Sequence, residues 1–78
     1  MNIVIVGCGL IGRKRALALD KEDNLLSCCD INNDIAKAFA NDFNCSSFVD
    51  YRELLREVDC DSVIVSVINK FAKEIIIA

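Results

Sequence analysis

Six residues restrict this chain more than any others: Gly7-Cys8-Gly9-Leu10-Ile11-Gly12. They hold all three glycines of a 78-residue chain that contains no proline. Just ahead of them, Ile3-Val4-Ile5-Val6 is an unbroken β-branched run. A run without polar alternation is the pattern of a strand buried on both faces. Behind the glycines, residues 10–21 suit a helix, with Gly12, Ala16 and Leu19 at the spacing of one face. A buried strand that passes through glycines into a helix begins a βαβ unit and commits the chain to a parallel sheet.

The remaining pattern repeats that alternation. Residues 24–30 read as a second strand that ends in Asp30. Residues 32–44 read as the clearest helix, with Ile35, Ala36, Phe39, Ala40 and Phe43 in one apolar stripe and Asn32 or Asn33 as its cap. Residues 45–49 form a short third strand. Asp50-Tyr51-Arg52-Glu53 resembles a capping box for a helix through Val58, with Leu54, Leu55 and Val58 apolar. Residues 62–68 form a fourth strand, and Asn69 caps a last helix over 70–78. Eight alternating elements predict an α/β fold: a doubly wound parallel sheet, four strands in order 3-2-1-4, part of a Rossmann fold.

Composition removes other classes. With 54% hydrophobic residues the chain is too apolar for disorder. A net charge of −3 leaves no basic footprint for nucleic acid. The longest apolar stretch, residues 63–68, is interrupted by Ser66 and is too short to cross a bilayer. Met1-Asn2-Ile3 carries no basic segment, so a secretory signal is not expected. The five cysteines are odd in number, no C-x-x-C pair occurs, and there is no histidine. That excludes a disulfide framework and a zinc site and predicts free, mostly buried thiols in a reducing cytoplasm. Cys8 falls near a helix N-terminus, where thiolates are stabilised, but a small residue in a tight turn is the plainer reading. Below roughly 70–80 residues one core rarely supplies more than a few kcal/mol. A longer protein is therefore the expected context, and the apolar run Ile75-Ile76-Ile77 is a candidate for docking on another chain or another copy.

The chemistry expected at the glycines follows from their spacing. G-x-G-x-x-G between a buried strand and a helix is a dinucleotide fingerprint. Gly7 permits the turn, Gly9 lets backbone approach a pyrophosphate, and Gly12 lets the helix seat on the strand. Cys8, Leu10 and Ile11 complete the loop. The helix start offers free N–H groups and partial positive charge to phosphates. Asp30 lies eighteen positions after Gly12, at the end of strand two. There a carboxylate accepts the adenosine ribose hydroxyls and repels a 2′-phosphate, which favours NAD over NADP. Ile31 adjoins it, and neither Ile31, Asn32 nor Asn33 supplies a cation for that phosphate. Arg13 and Arg15 could in principle reach it, which keeps NADP open. Three cations, Arg13-Lys14-Arg15, near a helix start oppose the helix dipole. A P-loop is excluded because Gly12-Arg13-Lys14 is not Gly-Lys-Ser/Thr. A methyltransferase loop usually has an acid just before its first glycine, where this chain has Val4, Ile5 and Val6.

These residues resemble the N-terminal domain of the Gfo/Idh/MocA oxidoreductases over nearly the whole chain. The resemblance rests on residues 3–12, on Cys29-Asp30 followed by Ala36 and Ala40, on Val49-Asp50-Tyr51 with Leu54-Leu55, and on Asp59-Cys60-Asp61-Ser62-Val63-Ile64-Val65. It implies that Gly7, Gly9, Gly12 and Asp30 bind the dinucleotide and that Ser66-Val67-Ile68-Asn69 lies beside it. Asn69 matches a common family asparagine. Two departures fall on the nicotinamide side: Val67-Ile68 replaces a frequent Thr-Pro, and Ala72 stands where a His often follows. The family's catalytic Lys, in a Glu-Lys-Pro segment, and its catalytic His belong to regions beyond these residues, and neither Lys70 nor Lys73 matches. The resemblance implies the NAD(P)-binding portion of an oxidoreductase acting on a sugar- or polyol-type substrate, with no catalytic residue in this stretch. The alternatives are a non-catalytic nucleotide-binding or partner-docking module, or a gene remnant.

Overall fold

The computed structural model describes residues 1–66. Seven elements alternate: β1 (Asn2–Val6), α1 (Leu10–Leu17), β2 (Asn24–Cys29), α2 (Asn33–Phe43), β3 (Ser46–Phe48), α3 (Tyr51–Glu57) and β4 (Ser62–Val65). The strands form one parallel sheet in the order β3-β2-β1-β4. This is the order expected from the alternation, and it makes the fold a partial Rossmann α/β fold. The expected helix over 70–78, residues 67 and 68 of the expected fourth strand, Asn69 and the Ile75-Ile76-Ile77 run lie outside the described residues.

The sheet's two faces are closed by different helices because the strand order reverses between β3 and β4. Ile3 and Ile5 of β1 meet Ala16 of α1, Phe39 of α2 and Cys28 of β2 on one face. Val4 and Val6 meet Leu54 of α3 and Cys29 of β2 on the other. Val4, Ile5 and Phe39 are fully buried. β1 alternates between two cores rather than between core and solvent, which is why its sequence shows no polar period.

β2 keeps both faces apolar by an irregularity. Ile3 pairs with Leu25, but Val4 pairs with Ser27, so Leu26 is an extra residue in β2. The slip lets Leu25 and Cys28 serve the α1–α2 face while Leu26 and Cys29 serve the α3 face. Ser27 is fully buried, and its hydroxyl is satisfied sideways, donating to Ser46 O at 3.0 Å and lying 2.9 Å from the Ser46 hydroxyl.

Helix boundaries follow local chemistry at α2 and α3. Asn32 caps α2 by accepting from the N–H groups of Asp34 (3.0 Å) and Ile35 (3.2 Å). Asn44 ends that helix in the left-handed region, φ 54° and ψ 53°, a conformation asparagine tolerates better than most residues. Asp50 caps α3 by accepting from Arg52 N–H at 2.9 Å. The apolar stripe of α2 is placed as expected except for Ile35, which is exposed.

α1 departs from expectation. It ends at Leu17, not Lys21. The chain must return to start β2 beside β1, and Asp20 and Asp23 form that return. Asp23 N–H donates to Asp20 O at 3.0 Å, and Asp20 N–H to the Asp23 carboxylate at 3.2 Å. Leu19 still reaches the core, but from beyond the helix. Lys14 and Arg15 consequently lie in the last turn of α1, where cations complement the helix dipole. The expected clash of three cations with that dipole is thereby removed for two of them.

Candidate functional site

The site lies where β1 and β4 end side by side. In an open parallel sheet this reversal of strand order creates a crevice outside the carboxyl ends of the strands. Gly7 leaves β1 with φ 105°, a region L side chains rarely adopt. Its N–H donates to Cys29 O at 2.7 Å, which ties the turn to the end of β2. Gly12 is buried in the first half of α1. A Cβ there would stand 1.9 Å from Gly7 O, so α1 crosses the strand end at a distance only glycine allows.

Gly9 is different. It is the N-cap of α1 at φ −74° and ψ −163°, extended backbone open to any residue. A Cβ built on it meets nothing within 4 Å. Neither backbone nor packing within the described residues calls for glycine there. The helix it opens has no side-chain cap and no acid in its first turn. The next two residues, Leu10 (72% exposed) and Ile11 (58%), are apolar and face solvent.

Asp30 follows β2 and stands beside this loop. One carboxylate oxygen accepts from Cys8 N–H at 3.0 Å, the other from Asn32 N–H at 2.9 Å. Asp30 N–H donates to Phe48 O at 3.0 Å, so the backbone is held as well. Each carboxylate oxygen keeps a lone pair beyond these bonds. Ile31, 76% exposed, projects next to it. The Asp30–Asn32 bond is a side chain bonding backbone two residues on, a habit of Asp readable from sequence. The Asp30–Cys8 bond has no local signal, because it joins residues 22 apart.

Ser66 closes the site from the β4 side. Its N–H donates to Val6 O at 2.8 Å, and its hydroxyl donates to Gly7 O at 3.0 Å. The structure therefore brings together Gly7, Cys8, Gly9, Leu10, Ile11, Gly12, Asp30, Ile31 and Ser66, whereas Asn69 lies outside the described residues. No pattern in the sequence announces that Asp30 and Ser66 both bond the loop itself.

Arg13 and Cys8 have partners within the fold rather than open positions toward a ligand. Arg13 pairs with Asp42 of α2 at 2.7 Å, and its guanidinium lies over Phe39 and Phe43, 5.8 and 5.9 Å from the ring centroids. It ties α1 to α2. Cys8 is 1% exposed, and its thiol donates to Cys29 O at 3.4 Å, which makes it a packed residue of the turn. All five thiols are free. Burial pushes Cys29 up to about 12, and the neighbouring Cys45 and Cys8 thiols, followed by burial, push Cys28 up further. Among the described residues no group of three or more Cys, Asp or Glu is placed to hold a metal ion, and no helix is long and apolar enough to cross a membrane.

A four-stranded parallel sheet with a glycine turn at its point of strand reversal defines a Rossmann-type domain. The family model of the oxidoreductase family with an NAD-binding Rossmann fold, GFO_IDH_MocA, matches residues 1–78, and the chain belongs to that family. Solved structures agree. The WlbA dehydrogenase of Chromobacterium violaceum, in complex with NADH and UDP-GlcNAcA, is 27% identical with a TM-score of 0.81 over 86% of this chain and 20% of its own. An oxidoreductase of Desulfitobacterium hafniense, named as NADPH-dependent, is 25% identical with a TM-score of 0.88, over 96% of this chain and 22% of its own. The scyllo-inositol dehydrogenase of Lactobacillus casei, with bound NAD(H) and scyllo-inositol, shares the fold at 19% identity and a TM-score of 0.87, over 97% of this chain and 24% of its own. The chain thus spans less than a quarter of the length of each of these three proteins. No curated protein matches it in sequence.

Proposed function

We propose that residues 1–78 form the dinucleotide-binding domain of an oxidoreductase acting on a sugar- or polyol-type substrate. The pyrophosphate lies against the 7–12 loop and the start of α1, and the adenosine ribose hydroxyls bond Asp30. The observation that carries this reading is Gly9. Gly7 is required by its φ and Gly12 by its contact with Gly7 O, but Gly9 answers to nothing within the described chain. A glycine at an uncapped helix start leaves room for an anion to reach backbone N–H groups directly. The neighbouring groups fit the rest of a dinucleotide. Asp30 is held against the loop with acceptor capacity to spare, and Leu10, Ile11 and Ile31 offer exposed apolar surface beside it.

NAD is preferred over NADP in this reading. A 2′-phosphate would meet the Asp30 carboxylate, and one of the two candidate cations on α1, Arg13, is engaged by Asp42. The bound nicotinamide carries the hydride. The chain's own part is to bind and orient it. No described side chain is assigned as acid or base, and the sequence contains no histidine. Asn69 is proposed on the nicotinamide side, from the family resemblance alone.

Titration of the 78-residue chain with NAD and NADP, before and after Asp30→Ala, tests the assignment. Loss of charge-assisted bonds to the ribose weakens NAD about 10-fold or more. NADP is expected to lose much less, because repulsion of its phosphate goes with the carboxylate. Unchanged affinity for both would remove Asp30 from the site.

A further inference from the structure

Ser66 is the first residue beyond β4, and its hydroxyl faces the glycine turn. It donates to Gly7 O at 3.0 Å, with Val6 O 3.4 Å away. Gly7 O is the atom that limits how closely α1 can approach, since a Cβ on Gly12 would lie 1.9 Å from it. Ser66 Oγ would itself stand 3.2 Å from that same Cβ. Three groups therefore meet at one point: the end of β4, the carbonyl of the glycine turn and the inner face of α1.

The turn is held from both sides. On the β2 side, Gly7 N–H donates to Cys29 O and Cys8 N–H donates to the Asp30 carboxylate. On the β4 side, the Ser66 hydroxyl is the side-chain donor to the Gly7 carbonyl. The peptide unit after Gly7 thus has its carbonyl fixed by Ser66 and its N–H fixed by Asp30. Its orientation sets where the following N–H groups, from Gly9 into α1, point.

We infer that Ser66 is a positioning residue of the site: its hydroxyl fixes the Gly7 carbonyl and, through it, aims the backbone N–H groups of the loop and α1 at the pyrophosphate. It acts through the loop and not by touching the dinucleotide. This rests on the dinucleotide reading above, and it differs from a direct cofactor contact at this position. An alanine would leave the Gly7 carbonyl without its side-chain donor in a half-buried place. Loss of one such bond corresponds to a change of roughly 3- to 10-fold in an equilibrium that depends on it.

The test uses the 78-residue chain, its Ser66→Ala and Ser66→Thr variants, and two probes. ADP-ribose carries the pyrophosphate; adenosine does not. Ser66→Ala should weaken ADP-ribose roughly 3- to 10-fold while leaving adenosine within about twofold. Threonine, which keeps the hydroxyl, should restore ADP-ribose binding. Amide hydrogen exchange in the ligand-free chain should quicken at Gly7 and Cys8, whose N–H groups are hydrogen-bonded, in Ser66→Ala and stay unchanged in α2 and α3. Equal weakening of both probes together with a lower melting temperature would reduce Ser66 to an ordinary stabilising residue and overturn the inference. So would an ADP-ribose affinity unchanged in Ser66→Ala, given a wild-type chain that binds it, with the dinucleotide reading intact. Failure of the wild-type chain to bind ADP-ribose would instead sink the dinucleotide reading. In that case unchanged exchange at Gly7 and Cys8 would remove the loop-holding role as well, whereas faster exchange confined to them would preserve it.

Discussion

The starts of α1 and α2 are built to opposite specifications. α2 opens on Asn32, whose side chain satisfies two backbone N–H groups, and carries Asp34 in its first turn. α3 repeats the plan with Asp50 and Glu53. α1 opens on Gly9 with no side-chain cap and no acid, and shows Leu10 and Ile11 to solvent. A cap is worth about 1 kcal/mol. A helix that forgoes it keeps its N–H groups and its positive end for something else. Where the chain needs only a helix, it supplies its own acceptor; at the start of α1, where we propose the pyrophosphate lies, it leaves the acceptor out.

Four substitutions or conditions probe that contrast, beginning with the largest effect. Gly12→Ala puts a methyl group against Gly7 O, a backbone atom that cannot step aside. It should cost ~3 kcal/mol in denaturant unfolding and abolish NAD binding in titration. A fully stable Gly12→Ala chain would mean that α1 does not seat on the turn as described.

Gly9→Asp attacks the comparison directly. Its backbone is open to any residue and its surroundings have space, so an aspartate there can cap α1 as Asn32 caps α2. Stability should rise by about 1 kcal/mol while NAD affinity falls at least ~10-fold, because the carboxylate takes the N–H groups and repels phosphate. A chain that gains stability and keeps its affinity would break the proposed link between the bare helix start and the pyrophosphate.

High pH separates the core from the site. Cys29 is pushed from 9.0 to about 12 by burial, so between those values the unfolded chain has lost a proton that the folded chain retains. Stability is full below pH 9 and falls as pH rises toward 12, by roughly 1 kcal/mol per pH unit from this thiol. Cys29→Ala should flatten the alkaline limb of a denaturation midpoint plotted against pH. An equally steep limb in the variant would assign it to other groups.

Asn32→Ala is the smallest and serves as the control. It removes the α2 cap and should cost ~1 kcal/mol in thermal or denaturant unfolding. Its NAD affinity should stay within about twofold, since Asn32 meets Asp30 through its backbone N–H, which alanine keeps. A large affinity loss would extend the site to the α2 cap.

Much of the fold and site is legible in the chain for local reasons. The order of strands and helices follows from periods of two and 3.6 among near neighbours, and the caps at Asn32 and Asp50 from side chains that reach two or three residues along. The roles of Gly7 and Gly12 follow from a turn and a crossing that the G-x-G-x-x-G spacing encodes. The helical pattern carries α1 four residues too far, because its end depends on where β2 must begin, and residues 18–21 contain neither glycine nor proline to mark it. Arg13 reads as a candidate for a 2′-phosphate only while the position of α2, which sets Asp42 beside it, is unknown.

By itself, then, the sequence determined the class of fold, the 7–12 turn and the acid at Asp30, because each is written in residues adjacent on the chain. Only the tertiary structure decided that Leu26 would be the extra residue of β2, that Asp30 would grip Cys8 and that Ser66 would hold the Gly7 carbonyl. Those contacts join residues within or just beyond the ends of neighbouring parallel strands. Their register is set by packing two cores at once, and no stretch of neighbouring residues contains that information.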